Sequence, residues 1–578
     1  MAAIEAPTRD VVTLTVDGRV VRARAGSTVL EAARTAGIRI PTLCYHPDLS
    51  VRANCRICVV EVRGSRVLQT ACSCPASDGM VVATNTPAVR AARRTNLELL
   101  LSSHAARCAG CVHNLRCELQ RLCHEYSVDG AHFAVGLAPA PVDSSARWIV
   151  RDPNRCILCR RCVAVCHEVQ SVGAVAPVGR GLSAAIAPAF GRGLGSSPCV
   201  FCGQCIDHCP VGAVYERDQR VEVWRTMEMA DAVVVAQADP LLWTALGAEP
   251  DEGTAALRRL GFRRVFGAST AVDLAALEGA HELVERLSGG NLPVLTAWCP
   301  AWVRFAEQFY PQLLPSLSTC KSPSQMHGAL VKTYLAAREG VDPRRLTVVS
   351  ATTCVARKLE CSRPEMAASG YRDVDYALTA RELARMLREA GVAPAALEPE
   401  PDDALPGCPG APEPGPGGVA SAIAEGLLCA AHFVAAQRNL DRLDFTQVPG
   451  RPGLREAALD LGGLPLRVAV VRGLGNARHL CDQIVAGEAN YHFVEVMACP
   501  GGCAPTQGAA EEAGWASLVA ELPAGTSGAG AEDADASAPL RRPHENPAAL
   551  RLYAEFLGVP LGERAQQLLH TRYTRRIV

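Results

Sequence analysis

Twenty-six cysteines stand in this 578-residue chain, at spacings that gather thiolates around metal. Disulfide-dense scaffolds are normally short and secreted. Cys156, Cys159, Cys162 and Cys166 follow C-x2-C-x2-C-x3-C, and Cys199, Cys202, Cys205 and Cys209 repeat it before Pro210. In such a double run the fourth cysteine of each set serves the other cluster. Cys156, Cys159, Cys162 and Cys209 are therefore expected to hold one [4Fe–4S] cluster, and Cys199, Cys202, Cys205 and Cys166 a second. Cys44, Cys55, Cys58 and Cys72 supply four thiolates from one long loop and a returning strand, as a [2Fe–2S] cluster needs. Zinc is the rival there, although zinc motifs rarely open with a ten-residue gap. His104, Cys108, Cys111 and Cys117 set one imidazole beside three thiolates. A structural zinc site competes again, and the flanking iron–sulfur patterns favour a third cubane. Cys74, His113 and Cys123 join no pattern.

Four further cysteines end apolar, β-rich runs: Cys299 after Pro293–Ala297, Cys354 after Leu346–Ser350, and Cys499 with Cys503 after Phe493–Val496. Four thiolates on loops beyond strand ends suit a cubane. Such loops are also where open α/β sheets place active sites.

These last segments resemble the cluster signatures of the [FeFe]-hydrogenases, also called iron-only hydrogenases. The residues are Thr296-Ala297-Trp298-Cys299-Pro300-Ala301-Trp302, Cys354 with Arg357 and Glu360, and Glu495-Val496-Met497-Ala498-Cys499-Pro500-Gly501-Gly502-Cys503. Lys321-Ser322-Pro323-Ser324-Gln325-Met326 resembles a further family segment. The resemblance implies an H-cluster, in which Cys299, Cys354, Cys499 and Cys503 hold a [4Fe–4S] unit. Cys503 then bridges to a two-iron unit bearing CO, cyanide and a dithiolate. Met497 would pack against that unit, and Arg357 would stand for a lysine that bonds a cyanide. The implied reaction is reversible: two protons and two electrons give H2. One [2Fe–2S] and three accessory [4Fe–4S] clusters would wire the site to ferredoxin or to an NAD(P)H-linked flavoprotein subunit. Hydrogenase maturation proteins would install the two-iron unit.

The resemblance breaks along the proton path. Family members typically carry a proton-passing cysteine where this chain has Trp298, and an indole N–H does not titrate. Gly279 stands where a relay glutamate belongs, while Glu282, Arg286 and Ser318 occupy the other relay positions. His281 or ordered water could supply a substitute route. Ala504-Pro505-Thr506-Gln507-Gly508 replaces a Gly-Gly-Gly after Cys503. Two alternatives stay open beside the enzyme: a slow regulatory H2 or redox sensor, and an iron–sulfur assembly scaffold.

The elements that must position these residues are legible in outline. Residues 10–88 read as a β-grasp [2Fe–2S] ferredoxin-like domain, with an Asp17-Gly18 hairpin turn and a helix capped by Thr28 and Glu31. Residues 89–128 read as the histidine-ligated [4Fe–4S] domain. Residues 145–220 read as a small α+β ferredoxin-like domain, with 179–196 as a loop. Residues 224–520 alternate helical stretches with β-branched runs, an α/β two-lobed H-cluster domain. Residues 399–418 read as a flexible insertion, 521–543 as a linker and 544–578 as a tail resembling a separate small subunit. The lone Gly473-Leu474-Gly475 reads as a strand-to-helix turn, not a nucleotide loop. A net charge of −1 argues against nucleic acid. No run is long and apolar enough for a bilayer and no leader is evident, so a cytoplasmic location without membrane contact is expected.

Overall fold

The computed structural model describes residues 11–105, 107–130, 133, 139–408, 419–503 and 540–576. They fall into two compact units divided near residue 216, with two short exchanges at 169–172 and 198–203.

In the first unit, Val11–Val16 and Arg19–Arg24 pair as a hairpin. Its turn needs positive φ at both central residues, which Asp17 (49°) and Gly18 (78°) supply. Alternation buries Leu14, Val16, Val21 and Ala23 against Val29, Leu30 and Ala33 of the helix Val29–Thr35. The expected capping box is present: Glu31 N–H donates to Thr28 Oγ1 at 3.3 Å, and Thr28 N–H to the Glu31 carboxylate at 2.8 Å. Strands Val81–Ala83, Val59–Val62 and Gln69–Thr70 complete a five-stranded sheet. This is the β-grasp pattern expected from the sequence. The segment 179–196 departs from the expected plain loop: Ala185–Ala187 pairs with Ala176–Val178.

The second unit holds two sheets. In one, Arg264–Phe266, Val233–Ala238, Leu346–Thr352 and Tyr376–Thr379 run parallel. In the other, Val294–Leu295, Phe493–Met497 and Leu464–Arg472 are parallel, and Leu454–Leu461 and Thr446–Gln447 extend it antiparallel. The three β-rich runs that precede the cysteines each contain a strand; 376–379, 446–447 and 454–461 were not foreseen. The helix Ser269–Gly289 is Ala/Leu-rich, buried through its first four turns and stopped at Gly290 in the left-handed region. It packs on the helix Val419–Ala436.

The start of the expected flexible insertion is pinned instead. Asp403 accepts from Arg258 and Arg264, each at 3.0 Å; residues 409–418 lie outside the described residues. Most of the expected linker lies outside them too, but its end is docked, with Arg541 paired to Asp273. In the tail, Arg576 reaches Glu307 and Glu365.

Candidate active site

Each of the four cysteines sits just beyond a parallel strand. Cys299 is the N-cap of the helix Pro300–Phe309, where Pro300 fits because the first helical turn needs no N–H. Trp302 Nε1 donates to Thr296 O at 2.9 Å, and Val496 N–H to Thr296 Oγ1 at 3.1 Å. These bonds tie the Cys299 loop to the strand that precedes Cys499. The Ala498 N–H donates to Cys299 Sγ at 3.4 Å. Cys354 comes from the other sheet, its N–H held by Thr352 Oγ1 at 3.2 Å. Gly502 turns the chain between Cys499 and Cys503 at φ 78°.

The thiols feel one another. Burial pushes Cys499 well up, and Cys354, Cys503 and Cys299 each add repulsion. Burial also pushes Cys354 up to about 11, although Arg357 opposes it. Thiols so disfavoured as free anions become ligands when metal charge replaces the proton. Arg357 lies among them: burial works against its charge, but Glu360, Cys354 and Cys503 outweigh it. It donates to Glu360 at 2.7 Å. Buried polar atoms on the flanking segments lack partners among the described residues: Trp298 Nε1 beside Cys299, Ser322 Oγ, and Gln325 Oε1, whose amide nitrogen contacts Cys361 Sγ. Four converging thiols, a cation and unpartnered polar atoms fit a large anionic cluster. Met497 is buried against Val470 and Phe445.

Sequence reasoning missed Asp239. This residue caps the helix Pro240–Leu246 at the end of the strand Val233–Ala238, and its charge is felt by Cys503. Its signal was an Asp-Pro pair closing a β-branched run. Glu495 stood out in the sequence only as part of a motif. Burial pushes it up to about 8, against the pull of Arg472.

The outer relay positions are assembled. Glu282 accepts from Arg286 at 2.6 Å, from Ser318 Oγ, and from Thr319 N–H at 2.9 Å. Ser318 N–H donates to Leu295 O at 2.7 Å, tying the relay to the strand before Cys299. At the inner position the carboxylate absent at Gly279 leaves no open space behind it. A Cβ there would stand 2.5 Å from Leu427 Cδ1 and 3.6 Å from Trp298 Cζ2. Leu427 and the indole fill the space. His281 is half-buried, and burial lowers its pKa.

Three of the four accessory sets lie within the first unit. Cys44, Cys55, Cys58 and Cys72 are all buried, with Cys58 and Cys72 sulfurs 3.3 Å apart. Cys72 is raised by the bond to Cys58 and by burial, with Cys44 and Cys55 adding repulsion. Burial pushes Cys117 up to about 11, with Cys111 and Cys108 contributing. His104 Nδ1 lies 3.0 Å from Arg155 O. A carbonyl only accepts, so Nδ1 carries the proton and Nε2 is left for a metal. Cys123, assigned no role from sequence, lies near Cys117 and Cys108. Cys156, Cys159, Cys162 and Cys209 line one cavity, the grouping the interleaved spacing suggested. Cys166 and Cys205 belong to the first unit and Cys199 and Cys202 to the second. Cys166 Sγ accepts from Ala174 N–H at 3.3 Å, and Cys199 Sγ from Phe201 N–H at 3.5 Å.

Known families match segment by segment. The C-terminal domain of the iron only hydrogenase large subunit matches residues 226–506, and the 2Fe-2S iron-sulfur cluster binding domain matches 9–87. The NADH-ubiquinone oxidoreductase-G iron-sulfur binding region matches 93–132, and the ferredoxin-like domain of NADH-quinone oxidoreductase subunit 3 matches 146–215. The iron hydrogenase small subunit matches 529–576. The chain belongs to the [FeFe]-hydrogenase family. It is 41% identical to the NADP-reducing hydrogenase subunit HndD of Solidesulfovibrio fructosivorans, over 98% of this chain and 99% of that one. Iron hydrogenase 1 of Clostridium pasteurianum is 31% identical over 95% of this chain and 97% of its own. A solved variant of [FeFe]-hydrogenase HydA1 from Chlamydomonas reinhardtii aligns with a TM-score of 0.54 at 30% identity. That alignment covers 63% of this chain and 100% of HydA1. No helix among the described residues is long and apolar enough to cross a membrane.

Proposed function

We propose that this chain interconverts H2 with two protons and two electrons at an H-cluster held by Cys299, Cys354, Cys499 and Cys503. The observation that carries the reading is the mutual proximity of these four thiols, drawn from two sheets. When bound, the cluster supplies an open metal position and the redox chemistry. The residues do the rest. Cys503 would hold the two-iron unit as well, Arg357 would offer its charge to a cyanide there, and Met497 would pack beside it. Glu282, Ser318 and Arg286 hold a proton on the outer path. The accessory ligands carry one [2Fe–2S] and three [4Fe–4S] clusters, with Cys199, Cys202, Cys205 and Cys166 as the third cubane set. The likeness to a subunit of an NADP-reducing hydrogenase supports a separate flavoprotein subunit as partner, with ferredoxin as the other candidate.

The plugged inner path favours a second reading, a slow sensor of H2 or redox state. Losing a general acid–base costs roughly 10²–10⁴-fold. Infrared spectra of the matured protein, paired with an H2-evolution assay, test both readings. CO and cyanide bands with turnover support the enzyme; bands that respond to H2 without turnover support the sensor. Protein that lacks the bands after maturation refutes both.

A further inference from the structure

Two buried arginines of the first unit lie close to cluster thiols, and they differ in one respect. Arg161 is neutralised, since Nη1 and Nη2 donate to the two oxygens of Glu118 at 2.7 and 3.0 Å. Arg151, 7% exposed, lines the cavity of Cys156, Cys159, Cys162 and Cys209. Its guanidinium donates to the Ile186 carbonyl, a neutral acceptor, and no carboxylate pairs with it among the described residues. Asp143 is the acidic group that senses it. The Asp143 carboxylate is already bonded by Ser145 Oγ at 2.6 Å and by Leu194 N–H at 2.9 Å. Arg151 thus brings to the cavity wall a positive charge that no salt bridge among the described residues neutralises, with Asp143 acting on it only from a distance. The thiols register it: burial pushes Cys156 and Cys162 up, neighbouring thiols add to the rise, and Arg151 opposes it at both.

A cubane that takes up one electron gains one negative charge, with no bond made or broken. A fixed cation in a poorly screened wall stabilises the reduced form more than the oxidised one. We propose that Arg151 raises the reduction potential of the [4Fe–4S] cluster held by Cys156, Cys159, Cys162 and Cys209, making it a step where an electron rests. Arg151 acts on the cluster's energy and touches no substrate. The inference rests on the reading that these four cysteines hold a cubane.

The test is a redox titration of the fully loaded protein, followed by electron paramagnetic resonance of the reduced clusters, with iron and sulfide counted in parallel. Arg151→Gln and Arg151→Met remove the charge, and Arg151→Lys keeps it. Both neutral variants should show one cluster midpoint moved to lower potential with iron content unchanged, and the lysine variant should stay near wild type. Neutral variants fully loaded but with unmoved midpoints overturn the proposal alone. A lysine variant shifted as far as glutamine's does the same, because charge is then not the cause. Loss of about four irons from both neutral variants but not from lysine's makes Arg151 structural and also overturns it. A wild type without cubane iron at these cysteines overturns the site assignment itself.

Discussion

Restoring the inner proton path requires three substitutions, and the reason is steric. Gly279→Glu alone would drive a Cβ to 2.5 Å from Leu427 Cδ1, where ordinary carbon contacts lie near roughly 3.5–4.0 Å. Overpacking of that kind costs about 1–3 kcal/mol, against about 1 kcal/mol gained by replacing a helical glycine. Trp298→Cys alone empties a site that is 5% exposed and costs about 3–5 kcal/mol. Leu427→Ala costs about 2–5 kcal/mol. Together they open a channel in which the new carboxyl occupies part of the vacated volume, so the triple variant should be less destabilised than the sum of its singles. H2 evolution from a reduced dye, at equal cluster content, should rise by roughly 10²–10⁴-fold in the triple variant and by far less in any single. A relay works as a connected unit, so the effects are not additive. Adding Glu282→Gln should abolish the gain. A folded, fully loaded triple variant no faster than wild type refutes the argument, since proton delivery would then not limit turnover.

Glu495 predicts a pH effect on the stability of the cluster-free protein. Its folded carboxyl holds a proton up to about 8, while the unfolded chain releases it near 4.5. Its contribution to stability should be greatest below 4.5, fall as pH rises to 8 and level off above, by at most about 5 kcal/mol. Glu495→Gln should flatten this slope in denaturant titrations; an unchanged slope rejects the assignment. Matured protein should carry about 20 irons, and Cys209→Ser should lower the count where Cys74→Ser does not. The isolated chain should neither bind FMN nor oxidise NADH, because Gly473 opens a helix directly and no dinucleotide fingerprint surrounds it; unaided NADH oxidation would place the nucleotide site here.

Candidate ligand sets stand out in the sequence because metal chemistry would constrain spacing along the chain. The interleaving that sends Cys209 to the first cubane set is a sequence rule, and the cavity groups the same four cysteines. Strands buried on both faces were legible as apolar runs. Leu454–Leu461 was not: its Ala-rich, half-exposed sequence reads as easily as helix, and only pairing with Leu464–Arg472 makes it a strand. The acidic Pro/Gly stretch suggested mobility, but composition could not reveal that Asp403 meets two arginines more than a hundred residues away. Gly279 was the instructive case. The sequence shows only that a relay carboxylate is absent there, whereas the filling residue, Leu427, lies on another helix at a position no local pattern marks.

The outer relay carries less evidence of proton traffic than its residues suggest. Glu282 is bonded by Arg286, Ser318, Thr319 N–H and Thr319 Oγ1, with the Cys320 thiol 3.6 Å away. A buried carboxylate satisfied to that degree has a structural reason to stay, since removing one partner of a buried charge typically costs about 3–5 kcal/mol. Thr319 also contacts His570 at 2.8 Å, and His570 contacts Glu278 at 3.0 Å. The same bonds that could pass a proton therefore fasten the tail to the helix Ser269–Gly289. Persistence of Glu282, Ser318 and Arg286 fits an enzyme and a sensor equally well. The discriminating feature is the apolar filling by Leu427 and Trp298 beside Gly279, which on the proposed reading would stop a proton and lends the outer network nothing.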